Sequence, residues 1–209
     1  MSNPLLDAVE GTKVVIGQEV LAKVMAGWQA QVNSPAALAL REDLFAHHPF
    51  TPEAADFLRR QTRIVVKDPA ATGGGGLWYG DYDLVFLYTG QMEAALHEHS
   101  HGWWEFHGHR VPARTDELIA ALKRLAGETD PAYARTQKLA YDYVHGIPAQ
   151  HWPGMLPDHN DHEIFAGLAS GTMGDMSLLP PYIRSFYAGL FVETEATPAA
   201  PGAERAAGA

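Results

Sequence analysis

Between Gln18 and Val32 the apolar residues Val20, Leu21, Val24, Met25 and Trp28 recur every three or four positions, the period of a helix with one buried face. Ser34–Ala46 continues as a second helix, and Thr51 ahead of Pro52 and Glu53 caps a third that runs to Arg60. The period then shortens. "TRIVVK" and "LWYGDYDLVFLY", separated by the Gly73–Gly76 run, are β-branched and aromatic, which predicts two or three strands joined by a flexible hairpin. "TGQMEAAL" returns to helical spacing with Met92, Ala95 and Leu96 inward. "TDELIAALKRLAG" opens on a capping threonine and stops at Gly127, and Asp130-Pro131 starts a helix to Val144. A Pro, Gly and His-rich loop fills 146–160; "DHEIFAGLASG" is a helix ended by Gly171, and "PPYIRSFYAGLF" is the last.

A chain of 209 residues with 46% hydrophobic and 19% charged content buries a sizeable core. The expected fold class is α+β, mainly helical with a small sheet, in one domain over 1–193: a helical part to about 62 and a second part from about 63. Residues 194–209, rich in Ala, Pro and Gly, carry too little apolar surface to pack and are expected to be a disordered tail.

Charge and cysteine content narrow the chemistry. With 15 Lys and Arg against 25 Asp and Glu, the net charge of -10 repels phosphate backbones and anionic membranes, so no nucleic acid or membrane partner is expected. The beginning of the chain has no basic region followed by an apolar run, and no long apolar stretch occurs elsewhere, which makes cytoplasmic residence the expectation. Cysteine is absent, so a bound metal must be held by histidine and carboxylate, which suits zinc, iron or manganese.

"ALHEHSHGWWEFHGHR", Ala95–Arg110, gathers five histidines and two glutamates. His97, Glu98 and His101 form H-E-x-x-H, in which the histidines stand about 40° apart around a helix and one turn apart along it, so both imidazoles reach one ion. Glu98 sits beside the water such an ion would activate. His99 falls about 160° from His101 and points elsewhere. A buried helix carrying histidines needs partners for their nitrogens, and a metal supplies one. Catalytic zinc takes a third protein ligand. His107 matches the spacing of the longer H-E-x-x-H-x-x-G-x-x-H pattern, but Trp104 stands where that pattern has its turning glycine. Glu163, in "NDHEIFAGLASG", is the other candidate.

The pair of motifs, H-E-x-x-H at 97–101 and "EIFA" at 163–166, resembles the gluzincin metallopeptidases, whose third ligand is a glutamate early in a later helix, commonly followed by an aromatic residue and an alanine. The order of strand, motif helix, connecting helices, ligand helix and terminal helix over 64–191 is most similar to the compact catalytic domain of anthrax lethal factor-type peptidases. The resemblance implies a zincin-like fold, one Zn2+ per chain held by His97, His101 and Glu163, Glu98 as general base, and a peptide or protein substrate. It also implies that an edge strand directly before the motif helix lines the cleft and pairs with an extended peptide.

Two positions depart from the family. Gly167 stands where many gluzincins place a carboxylate that orients a histidine, and Leu156 where the lethal factor type has its transition-state tyrosine. Tyr182, Tyr187, His159 and His162 are therefore the candidates for stabilising the oxyanion. A metal-binding protein without hydrolysis, sequestering or sensing zinc or nickel, is the alternative. Glu98 separates the two, since an enzyme needs it for rate and a binder does not.

Overall fold

The structure, a computed structural model, describes residues 26–71, 75–145 and 161–192. The expectations for most of the first helix, for His159 and the 146–160 loop, and for the 194–209 tail lie outside those residues. The described part is α+β: helices predominate and pack on a three-stranded sheet.

Helix α1 (Pro35–His47) begins where Ser34 accepts a hydrogen bond from the Ala37 amide, and α2 (Pro52–Gln61) where Thr51 accepts one from Ala54; each has proline in its first turn, with φ already set for a helix. Strands β1 (Arg63–Asp68), β2 (Gly76–Tyr79) and β3 (Leu84–Thr89) form a sheet of order β1-β3-β2, with β3 parallel to β1 and antiparallel to β2. The strand directly before the motif helix is thus central, with β1 and β2 at the edges, which corrects the expected topology. Sheet position follows burial. Leu84, Val85, Phe86 and Leu87 are all buried, a continuous apolar run suited to a strand covered on both faces. The two faces go to different clusters: Val85 and Leu87 join the main core, while Phe86 and Leu84 pack with Val65, Trp28 and Val32.

Helix α3 (Met92–Trp104) follows β3 and continues into a π-helical turn, Glu105–His109. Helix α4 (Pro112–Ala126) starts three residues before the expected threonine, because Pro112 supplies the first helical φ; Thr115 lies inside it and its hydroxyl donates to Asp161 instead. Helix α5 (Ala134–Val144) follows a short 3-10 turn capped by Asp130, and α6 (Asp161–Gly171) crosses α3.

The last segment is not one helix. It forms a single turn, α7 (Pro181–Arg184), then a 3-10 turn over Ser185–Tyr187, and is ended by Gly189 at φ 84, a left-handed conformation that glycine tolerates. The chain then meets the α1–α2 junction, where the Thr51 amide donates to the Leu190 carbonyl and the Val192 amide to that of Pro49. One core cluster runs from Ala37 of α1 to Phe191, across both parts expected from the sequence. Among the described residues no helix is long and apolar enough to cross a membrane.

Candidate metal centre

Helix α3 lies buried between the sheet and α6, so its polar residues must find partners within the protein. His97 and His101 both turn toward α6 and Glu163 in its first turn. His97 Nε2 is 3.2 Å from one Glu163 carboxylate oxygen, His101 Nε2 is 3.4 Å from the other, and the imidazole centroids are 4.7 Å apart. A tetrahedral zinc with bonds of about 2.0–2.1 Å holds its ligand atoms about 3.3 Å apart, so these separations fit three ligands of one ion. His97, Glu98 and His101 each bring a possible ligand atom within 4.8 Å of the other two, with Glu98 3.9 Å from His101 Nε2; Glu163, at 3.2 and 3.4 Å, approaches the two imidazoles more closely.

Charge and burial act together here. Burial alone would push the Glu163 carboxyl up, but His101 and His97 outweigh it and hold the group well below the usual carboxylate range. His97 is pushed down by burial and up more strongly by its hydrogen bond to Glu163 and by the Glu98, Glu163 and Glu93 charges. Glu98 is 4% exposed, and burial leads in raising its carboxyl above the ordinary value.

The support around these residues was not legible in the motif. His97 Nδ1 faces the Ser170 hydroxyl at 3.3 Å, and that hydroxyl donates to the Gly167 carbonyl. Ser170 lies seven residues after Glu163, about two turns along the same helix face, which is the spacing that points to it. At Gly167 an added Cβ would run into the Tyr143 hydroxyl, so a phenol from α5 fills the space beside this position. The His101 Nδ1 is buried without a hydrogen-bond partner among the described residues.

Three sequence candidates lie elsewhere. His107 stacks on Trp103 at 3.7 Å, packs edge-on to Phe57 and uses Nδ1 on the Trp103 carbonyl, so it is turned away from Glu163 and is not a third ligand. Tyr187 is buried and its hydroxyl donates to the Phe165 carbonyl; Tyr182 reaches Glu128 and lies beneath Arg124. Neither borders the pocket, because both rings are consumed by packing of the C-terminal turns. His162 does border it, its ring 5.7 Å from that of His101, and burial first, then His101 and His109, lowers its pKa to about 4. His99, as its helical position requires, faces the opposite side: fully buried against Phe45, with Nδ1 on the Ala95 carbonyl.

No protein-family model, curated protein or solved structure matches this chain. The chemistry therefore rests on the site itself. His97, Glu98, His101 and Glu163 front a pocket of about 920 Å³, whose other wall is edge strand β2 with Gly76, Leu77 and Trp78. The last residue of the tetraglycine run belongs to that strand. A Cβ on Gly76 would stand 2.6 Å from Glu98 Cγ and 2.7 Å from the Phe86 carbonyl oxygen. Gly76→Ala is thus expected to cost about 1–3 kcal/mol of stability through overpacking, measured by urea denaturation. Gly75→Ala is the control, because its Cβ would meet nothing within 4 Å.

Proposed function

We propose that this chain is a zinc-dependent metallopeptidase of zincin-like fold and gluzincin type. The observation that carries the reading is the convergence of two imidazole Nε2 atoms from one helix on the Glu163 carboxylate of another, with Glu98 buried beside them. His97, His101 and Glu163 would hold the ion, which when bound supplies Lewis acidity toward the scissile carbonyl and a water of lowered pKa.

The rest is done by the chain's own residues. Glu98 accepts the proton of the attacking water at its carboxylate and delivers it to the amine nitrogen as the C–N bond breaks; its raised pKa makes the first transfer, acceptance of the proton, easier. Ser170 holds the His97 ring in place through Nδ1. His162 lies on the pocket wall, but its Nε2 is 3.2 Å from a Glu105 oxygen and its Nδ1 is buried, which leaves no ring nitrogen for a developing oxyanion. The pairing role moves from the strand before the motif helix to β2, whose outer edge has no strand partner among the described residues and can take an extended peptide as a further strand.

Glu98→Gln is the test. Hydrolysis of a mixed fluorogenic peptide library by the zinc-loaded protein is expected to fall about 10²–10⁴-fold while the zinc content stays the same. Turnover equal in the two proteins would sink the enzymatic reading and favour metal sequestration.

A further inference from the structure

Beyond Glu163 the π-helical turn brings a second set of donors to the same helix. Glu105, His109 and His162 each offer a ligand atom within 4.8 Å of the other two. His109 and Glu105 close the two ends of the π-helical turn, and His162 comes from the first turn of α6. The His109 ring is 4.3 Å from that of His162, and His162 Nε2 is 3.2 Å from a Glu105 oxygen. The His162 Nδ1 is buried with no hydrogen-bond partner among the described residues.

The surroundings of His109 are those of a metal-binding imidazole. Its Nδ1 lies 3.0 and 3.1 Å from the two Asp161 oxygens, which fixes the ring and leaves Nε2 as the free donor. Asp161 is itself held from behind by the Trp104 indole N–H and the Thr115 hydroxyl, so the support is rigid. A surface ion pair needs no such backing.

We propose that Glu105, His109 and His162 form a second, weaker site for a divalent transition-metal ion of the zinc class. Two imidazoles and one carboxylate, with no thiolate, suit that class. The site is weaker than the first because the His109 side chain is 47% exposed and Glu105 also accepts from Arg110, whose exposed guanidinium must release it. Glu105 and His162 line the pocket fronted by His97 and His101, so the two ions would face one bound molecule. The site has its own donors and does not depend on the peptidase reading.

The experiment is a titration of the metal-free full chain with Co2+, followed by its visible absorption, with Zn2+ competition for affinity. The intact protein is expected to take up one tight and one weaker equivalent. His109→Ala and Glu105→Gln should each keep the tight equivalent and weaken the second by at least about 10-fold. A single equivalent in the intact protein overturns the proposal, as does a second equivalent whose affinity is unchanged in both variants. Should His109→Ala lose its circular-dichroism signal, the near-isosteric Glu105→Gln decides. Loss of the tight equivalent alone, with the weaker one present, would count against the zinc peptidase reading and not against this site.

Discussion

Glu163→Ala is expected to lower zinc affinity by orders of magnitude, beyond the roughly 10–100-fold that loss of an outer support costs. The substitution removes the carboxylate nearest to both His97 and His101, at 3.2 and 3.4 Å, and leaves Glu98, 3.9 Å from His101 Nε2, as the remaining carboxylate beside them. His107→Ala should leave affinity unchanged, since that ring is stacked on Trp103. Competition with a chromogenic chelator measures all variants, at a single pH because imidazole ligands bind only when deprotonated. Zinc held at full affinity by Glu163→Ala would remove the gluzincin assignment, whatever peptidase activity was found.

The second large effect concerns Trp104. It is 1% exposed, stacks on Phe165 of α6 at 4.6 Å and donates its indole N–H to Asp161. Trp104→Ala is expected to destabilise the fold by about 3–5 kcal/mol, the range for emptying a large aromatic site in a core. Trp104→Phe refills most of the volume and should recover part of that loss, the remainder being the hydrogen bond to a buried carboxylate. Denaturant unfolding of the two variants separates the terms. A Trp104→Ala loss under about 1 kcal/mol would mean that the indole is not a core element.

How far the sequence reveals this arrangement depends on the range of each interaction. Ser34, Thr51 and the H-E-x-x-H spacing act within a few residues, and the helices they imply are present, the first two ending one residue beyond the expected Ala46 and Arg60. The place of β3 was available in principle: "LVFLY" is unbroken by polar residues, the mark of a strand covered on both faces, whereas the strand pattern alone says nothing about which neighbour it pairs with. Asp161 and His109 are 52 positions apart, and Glu163 and His97 are 66 apart. No local pattern encodes such meetings. Only the resemblance to a family points to Glu163, and nothing in the local pattern marks Asp161. The tyrosines of the last segment illustrate the opposite error: the hydroxyl expected to face a bound molecule belongs, for Tyr187, to a core ring and is satisfied by the Phe165 carbonyl.

The π-helical turn after α3 also works as a phase shifter. Its wider winding advances the chain by less than the usual 100° per residue, so the four-residue step from Glu105 to His109 no longer drifts around the axis as the step from His97 to His101 does. His109 consequently reaches Asp161, while His107, two positions earlier, lies against Phe57 on another side. Excising one residue from this turn would restore ordinary winding and rotate everything downstream by roughly a quarter turn. The histidines at 107 and 109 would then both lose their present surroundings, one leaving the aromatic stack and the other the carboxylate. In this chain the count of residues between two histidines, as much as their identity, decides which of them meets α6.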